Sequence, residues 1–302
     1  MTETSIRSEP SVGTETLDGV AGAAETARTA EESVTPGPLV SIVVPYYNPG
    51  DRLRSTIEHL WRVLNGLGMP FEIIAVSDGS TDGSQLTLDG FREDDVRRVS
   101  YSPNVGKGHA LRIGLAMSSG RYVGFIDADG DISPEFLAGF IAALQSEEPD
   151  IVIGSKRHAD SSVNAAPLRR LYSWTHQAIV RRLFRLDVRD TQVGIKLMER
   201  RVLEDVLPLL REDCFALDLE LLVLARRFGH TRILEAPVRI DQRQDSTISV
   251  KRAWRLLLDT FGIYVRLCVR HHDGDAISSW PRLDAPAPSE PMVAVAPTSA
   301  AA

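Results

Sequence analysis

Three aspartates at alternate positions are the clearest chemical signal in this sequence. Asp127, Asp129 and Asp131 directly follow the apolar run Tyr122–Ile126. A short apolar run bounded by glycines predicts a strand that is buried on both faces. Because side chains alternate along a strand, Asp127 and Asp129 can converge on one point where it ends. Carboxylates there are ligands for Mg²⁺ or Mn²⁺, although an isolated Asp-x-Asp pair is also typical of a solvated acidic turn.

Two other predicted loops carry groups suited to a nucleotide or a phosphate. Asp78 follows the predicted strand 71–76, and its carboxylate could accept hydrogen bonds from a base or a ribose. It could equally form an Asx turn that supports the glycine-rich loop after it. Gly106, Lys107 and Gly108 open a predicted helix, where backbone N–H groups and a cation favour an anion such as phosphate.

Alternating strands and helices connect these loops. The sequence predicts strands at 40–45, 71–76, 97–101, 122–126 and 150–155. The helices between them are predicted to begin at Asp51, His109 and Pro134. Short loops between alternating strands and helices imply a mostly parallel sheet with helices on both faces, so the loops that carry chemistry share one edge.

The second half of the chain is less regular. The pattern predicts helices at 167–186, 200–210, 217–228 and 250–270, a strand at 232–240, and a loop or short strand at 190–198. The first of these helices belongs to a basic segment with six arginines: Arg169, Arg170, Arg181, Arg182, Arg185 and Arg189. It is either a solvated helix face or a surface that binds phosphates and anionic headgroups.

Composition separates a central domain from two tails. Residues 1–38 are predicted to be a disordered acidic tail, and residues 273–302 a disordered tail rich in Pro and Ala. The tails carry formal charges of −5 and −3, which leaves +1 of the total −7 for residues 39–272. This balance gives no support for a nucleic-acid partner. Within the centre, 39–250 is the predicted folded domain.

Residues 251–272 form the last predicted element, an amphipathic helix. Its apolar side either packs on the domain or lies in a membrane interface. We find no run of about 18 apolar residues, so any membrane contact is expected to be peripheral. Cys214 and Cys268 are too few for a disulfide framework, which fits a reducing compartment. The predicted location is the cytoplasmic face of a membrane.

Four motifs, in order and spacing, resemble those of the inverting family 2 glycosyltransferases with a GT-A fold: Val43–Asn48, Ser77–Gly83, Asn104–Ala110 and Asp127–Asp129. Within that family the chain is most similar to the polyprenyl-phosphate sugar synthases, the dolichol-phosphate mannosyltransferase and glucosyltransferase group. The segments 153–156, 189–198 and 235–238 continue the resemblance, which covers about residues 40–265. It implies an α/β GT-A fold.

The resemblance also implies roles for individual residues. Donor-binding positions are Pro45, Tyr47, Asn48, Asp78, Gly106, Lys107, Asp127, Ala128, Asp129, Gln192 and Arg243. Those implied to bind Mg²⁺ or Mn²⁺ are Asp127, Asp129 and Asp131. The attacking phosphate is expected to contact Lys156, Arg157, Ser173 and Arg169, with Arg170 as the alternative to Arg169. Together with these, Asp129 belongs to the predicted catalytic set. Lys156 stands where relatives have Arg, so it offers a point charge instead of a bidentate fork.

The expected reaction is metal-dependent transfer of a hexose or N-acetylhexosamine, with inversion, from a nucleotide sugar to a polyprenyl phosphate. A UDP-sugar is favoured over GDP-mannose, and a partner membrane protein could handle the lipid-linked product. One alternative is transfer to a hydroxyl of a glycan or small molecule, with Asp218 or Glu220 as the base; otherwise these two support the site from the helix start. The other alternative is a non-catalytic protein that binds a nucleotide sugar.

Overall fold

The computed structural model describes residues 37–156, 162–163, 167–186, 188–240 and 250–269. Its main sheet has seven strands: β1 (Val40–Tyr46), β2 (Phe71–Asp78), β3 (Val96–Tyr101), β4 (Tyr122–Ile126), β5 (Ile151–Ser155), β7 (Ile195–Glu199) and β8 (Ile233–Pro237). Two short strands, β6 (Ser162–Val163) and β9 (Arg239–Ile240), pair in parallel beside it.

The order of the sheet is β3-β2-β1-β4-β7-β5-β8. All neighbours are parallel except that β7 runs antiparallel to β4 and β5. The chain builds outward from β1 through β2 to β3 and then crosses to β4 on the other side of β1. In open α/β sheets, ligands bind outside the carboxyl ends of strands at such a reversal. The reversal therefore directs attention to the loops after β1 and β4.

Helices cover both faces of the sheet, as predicted. They are α1 (Arg52–Gly66), α2 (Lys107–Met117), α3 (Phe136–Ser146), α4 (Pro167–Phe184), α5 (Arg200–Val206), α6 (Leu217–Arg227) and α7 (Val250–Tyr264). Because β1 alternates its side chains, Val43 joins the core that lies under α2 and α6, while Ile42 and Val44 join the core under α1 and α3. Four apolar residues of α1 that recur at helical spacing are buried against the sheet: Leu53, Ile57, Leu60 and Leu64.

Most boundaries differ from the sequence-based predictions by one or two residues, and the predicted strand 232–240 is divided into β8 and β9. The helix predicted from His109 begins at Lys107, because Asp213 supplies acceptors to its first turn. The uncertain segment 190–198 contains β7, which pairs on both sides in the middle of the sheet. The last helix changes to a π-helical turn at Val265. The start of α2 and the pairing of β7 depend on contacts between distant segments, which local periodicity does not report.

Glu72 ties together the amino-terminal edge of the sheet, opposite the predicted site. Its buried carboxylate accepts hydrogen bonds from Ser41 Oγ at 2.6 Å, from Ser119 N at 2.7 Å and from Ser119 Oγ at 2.8 Å. Arg97 Nη1 lies 3.2 Å from its second oxygen. Burial opposes ionisation of Glu72, but the hydrogen bonds from Ser41 and Ser119 outweigh it and lower the pKa.

We predict that Glu72→Gln lowers the free energy of unfolding by about 1–3 kcal/mol at neutral pH, because buried donors lose a charged acceptor. The folded-state pKa of Glu72 lies below the unfolded value, so its stabilisation exists above that value and is lost as the pH falls. The difference between wild type and Glu72→Gln should therefore shrink below about pH 4. Urea unfolding at both pH values measures this. The exposed Glu58, paired with Arg54, gives the control Glu58→Gln, and an equal loss at both pH values would contradict the prediction.

Candidate active site

Asp127 is the first residue after β4. Its backbone and side chain both lie directly against Gly194, and we call this contact the seat of Asp127. Asp127 N donates to Gly194 O at 2.9 Å. A Cβ added to Gly194 would lie 1.9 Å from Asp127 Oδ2 and 2.4 Å from its Cγ. Since real Cβ atoms do not approach other atoms this closely, any side chain at position 194 would move the carboxylate. The glycine before β7 therefore fixes the position of Asp127.

A chain of four alternating charges runs inward from this carboxylate. Lys107 Nζ lies 2.6 Å from Asp127 Oδ1 and 3.8 Å from Asp218 Oδ2. Lys196 Nζ lies 2.5 Å from Asp218 Oδ1 and donates to Val193 O at 2.9 Å. The side chain of Lys196 is fully buried and that of Asp218 is 4% exposed. Asp127, Lys107, Asp218 and Lys196 together, here called the charge chain, sum to zero.

Burial and neighbouring charge act in opposite directions along the charge chain. Burial raises the pKa of Asp127, against the opposing charge of Lys107. Burial also favours the neutral form of Lys107, but Asp127 and Asp218 outweigh it and raise the pKa of this lysine. Burial lowers the pKa of Lys196, and Asp218 opposes that shift. For Asp127 and Lys196 burial is the larger effect, whereas for Lys107 the neighbouring carboxylates are.

The other two aspartates are more open. Asp129 is exposed, and its Oδ1 accepts a hydrogen bond from Asp131 N at 3.0 Å. Asp131 lines a cleft of about 300 Å³ together with Thr56, His59 and Ser133. Within the described parts of the chain, no group of three or more His, Cys, Asp or Glu is placed to hold a metal ion. The structure thus does not assemble the predicted set of three carboxylates.

Two carboxylates nevertheless fit a divalent cation. Mg²⁺ is usually bound by one or two carboxylates, with water and substrate phosphates as the remaining ligands. Asp127 and Asp129 provide hard oxygen donors at the end of a central strand, and the seat on Gly194 holds the first of them in place. These two residues would bind the ion.

The loops after β1 and β2 are tied to each other. Asn48 N donates to Ser80 Oγ at 3.0 Å, and Asn48 Oδ1 accepts from Thr81 N at 2.8 Å. Asn48 has a φ of +48°, a left-handed conformation that Asn tolerates better than most residues. Beside it, Pro45 is buried in β1 and the side chain of Tyr47 is 53% exposed. Tyr47 is therefore available to contact a ligand, whereas Asn48 holds the loop.

Asp78 supports a loop with both of its carboxylate oxygens. Its Oδ1 accepts from Tyr101 Oη at 2.7 Å, Val105 N at 2.8 Å and Gly106 N at 3.0 Å. Its Oδ2 accepts from Asn104 Nδ2 at 2.8 Å, and only 4% of the residue is exposed. The Asp78 carboxylate thus supports the loop 103–106, which neither prediction for this residue named. Contact with a base or ribose remains a prediction.

The start of α2 is likewise occupied by protein atoms. Gly108 N and His109 N donate to Asp213 O at 2.8 and 3.3 Å. A Cβ on Gly106 would lie 2.2 Å from that carbonyl oxygen, so the loop packs directly on the helix start. The Asp213 carboxylate also lies 3.0 Å from Arg112 Nη1. These N–H groups therefore bond within the protein, and a phosphate role for Gly106 and Lys107 stays a prediction.

Asp218 and Glu220 begin α6 and have separate tasks. Asp218 joins the two lysines of the charge chain. Glu220 is fully buried and accepts from Arg211 N at 2.9 Å, Glu212 N at 2.8 Å and Arg266 Nη2 at 2.6 Å. Burial raises the pKa of Glu220, and these donors oppose the shift. Both acids support the site from the helix start.

The structure describes the side chains of only some of the remaining predicted site residues. Lys156 follows β5 and is partly buried. Gln192 lies in the loop before β7, and its Nε2 is buried without a hydrogen-bond partner among the described residues. Arg169 and Ser173 lie in α4, but their side chains are outside the described part, as are Arg157 and Arg243.

Sequence reasoning missed Gly194 and Lys196 as site residues, although both carry a local signal. A glycine at the edge of a strand often marks close approach by other atoms. A lysine within an apolar strand is almost never fully buried unless it is paired. Neither signal identifies the residue that is contacted, because Asp127, the partner of Gly194, and Asp218, the partner of Lys196, come from other elements.

The fold, with an acidic strand end in the middle of the sheet, is that of the GT-A glycosyltransferases. A family model described as Glycosyl transferase family 2 matches residues 41–207, more than half of the chain. The chain belongs to this family.

Its relatives include enzymes that act on lipid phosphates. It is 30% identical over 252 residues to a dolichyl-phosphate beta-glucosyltransferase of Drosophila melanogaster, covering 78% of this chain and 77% of that enzyme. The enzyme of the same name from Dictyostelium discoideum is 29% identical over 207 residues, with 63% of each chain covered, so the match spans less than two thirds of that relative.

A solved structure supports the fold. Glucosyl-3-phosphoglycerate synthase from Mycobacterium tuberculosis, in complex with Mn²⁺, uridine-diphosphate and glucosyl-3-phosphoglycerate, superposes with a TM-score of 0.60. The two proteins are 21% identical, and the match covers 77% of this chain and 81% of that one. At this identity the likeness concerns the fold alone, and the predicted GT-A fold is confirmed.

We predict that Gly194→Ala reduces sugar transfer by about a hundredfold, because displacement of Asp127 by about 1 Å misplaces the reacting groups. Steady-state transfer rates and urea unfolding measure the effects on activity and stability separately. Gly139→Ala is the matched control, since a Cβ at position 139 meets nothing within 4 Å. A Gly194→Ala protein that keeps the wild-type rate would contradict the seat assigned to Gly194.

Proposed function

We propose that this protein transfers a hexose or N-acetylhexosamine from a UDP-sugar to a polyprenyl phosphate, in a metal-dependent reaction that inverts the anomeric centre. The main support is the Asp127 carboxylate, seated on Gly194 at the end of β4 and followed by the exposed Asp129. The names of the relatives support a lipid phosphate acceptor and a glucosyl donor.

A divalent cation bound by Asp127 and Asp129 would neutralise charge that develops on the leaving diphosphate. The chain's own residues orient the reactants. Tyr47 contacts the nucleotide from the loop after β1, and Lys156 attracts the acceptor phosphate at the end of β5. Arg169 and Ser173 are one helical turn apart in α4 and complete the acceptor site.

The state of the two buried acids favours a phosphate acceptor over a hydroxyl. A hydroxyl acceptor needs a base, whereas a phosphate monoester is already an anion near neutral pH and needs positioning. Asp218 is shared by Lys107 and Lys196, and Glu220 accepts from three donors. Both carboxylates are committed to other groups, so neither is poised to remove a proton from a hydroxyl.

We further propose that α7 lies on the cytoplasmic face of a membrane. One face of the helix region is buried through Thr260, Ile263 and Leu267, while Trp254, Leu258 and Phe261 are 56–64% exposed on another. Such exposed apolar side chains on a helix with basic residues are typical of interfacial helices. Among the described residues, no helix is long and apolar enough to cross a bilayer. A membrane protein that receives the lipid-linked product is the corresponding partner.

The reaction is tested by incubating the protein with labelled UDP- and GDP-sugars, a short polyprenyl phosphate, and Mg²⁺ or Mn²⁺. We expect an organic-extractable product from a UDP-sugar, and none in EDTA. Asp127→Asn should lower the rate on the order of a hundredfold or more, because the leaving diphosphate loses its charge stabilisation. The exposed Asp89, paired with Arg98, gives the control Asp89→Asn. Transfer to a soluble hydroxyl acceptor instead would overturn the proposal.

Membrane contact is tested by sedimentation with anionic and zwitterionic vesicles. We predict that Phe261→Ser weakens binding to anionic vesicles by about tenfold, since one aromatic side chain no longer enters the interface. Added salt should weaken wild-type binding as well. Leu86 is 65% exposed on the short helical turn Ser84–Leu88, so Leu86→Ser is the matched control. Equal binding by both variants would contradict the role given to α7.

A further inference from the structure

Lys107 has two carboxylates within its reach and little room for other movement. Its Nζ lies 2.6 Å from Asp127 Oδ1 and 3.8 Å from Asp218 Oδ2, and its side chain is 14% exposed. The same nitrogen lies 5.8 Å from the ring centroid of Phe125 and 5.7 Å from that of Phe215. These rings attract the ammonium through their π faces. A short shift would exchange one carboxylate for the other.

The protein itself supplies a charged partner for Asp127. A carboxylate that is mostly buried destabilises the protein when it has no partner. Lys107 supplies that partner, and Lys196 contacts Asp218 from the far side at 2.5 Å. Lys196 is itself held by Val193 O. The outer half of the charge chain can therefore rearrange while the inner half stays fixed.

We propose that Lys107 is a resident counter-ion that occupies Asp127 in the ligand-free protein and passes to Asp218 when the metal-bound donor arrives. This inference rests on the proposed function, because the cation and the diphosphate are the ones proposed there. It assigns Lys107 a positioning role in addition to any contact with phosphate.

The physical reason is competition for one carboxylate. An ammonium in contact with Asp127 Oδ1 repels a divalent cation at the same oxygen, and this repulsion is strong at short range in a poorly hydrated site. The negative diphosphate of the donor offsets it. The protein should consequently bind the metal weakly by itself and well together with the nucleotide, so that metal and donor enter as one unit.

The test is titration of MnCl₂ alone, followed by electron paramagnetic resonance of the unbound ion. Lys107→Met should bind Mn²⁺ on the order of tenfold more tightly than wild type, because the competing charge is gone. Lys107→Arg keeps the charge and should bind Mn²⁺ about as weakly as wild type. Arg98→Met removes one positive charge from an exposed pair with Asp89 and is the control for net charge.

A second measurement uses Asp218→Asn, so that the test does not rest on the variants of Lys107 alone. Asparagine keeps an oxygen for Lys196 but removes the charge that would receive Lys107. Asp218→Asn should weaken Mn²⁺ binding more in the wild-type background than in Lys107→Met. A double-mutant cycle measures this coupling. Urea unfolding shows whether each protein is folded.

Three results would overturn the proposal: Lys107→Met that binds Mn²⁺ no better than wild type, Lys107→Arg that binds as tightly as Lys107→Met, or an additive cycle. None of these measurements contains an acceptor or a sugar. Absence of transfer to polyprenyl phosphate would therefore reject the proposed function and leave the result for Lys107 standing. If wild type transfers sugar normally but Lys107→Met binds Mn²⁺ no more tightly than wild type, only the counter-ion proposal is rejected.

Discussion

The contact between Lys107 and Asp127 is the interaction on which the rest of the site depends. A carboxylate at the end of a central strand is suited to hold a cation, but it is costly to bury without one. The fold meets this requirement with side chains from three further elements. Lys107 comes from α2, Asp218 from α6 and Lys196 from β7. The antiparallel β7 is needed in the middle of the sheet because it brings both Lys196 and the seat at Gly194.

The position of Lys107 is in turn set by acids that do not contact it. Asp78 holds the loop that precedes α2, and the carbonyl of Asp213 accepts from the first turn of that helix. Glu220 accepts from the backbone of the segment that contains Asp213, and Arg266 joins Glu220 to the π-helical turn that follows α7. Several buried acids thus serve the architecture of the site, which explains why few are available as bases.

This network also connects the site to the surface proposed to meet the membrane. Arg266 follows α7, whose exposed apolar side chains lie one to three turns before it. The same arginine lies 2.8 Å from Glu212 and 2.6 Å from Glu220. Phe215, from the adjoining loop, is 60% exposed and has its ring near Lys107. A domain that takes its acceptor from a lipid surface would gain from this short structural link.

The sequence by itself determined β1 to β5, most helices and the position of the aspartates at the end of β4, because these follow from local periodicity and turn residues. The order of its motifs also indicated the family. Only the tertiary structure decided which groups meet: Asp127 with Gly194 and Lys107, Lys196 with Asp218, and Asp78 with its loop. These pairs join residues far apart in the chain, and a buried charge reveals that it needs a partner without revealing which one.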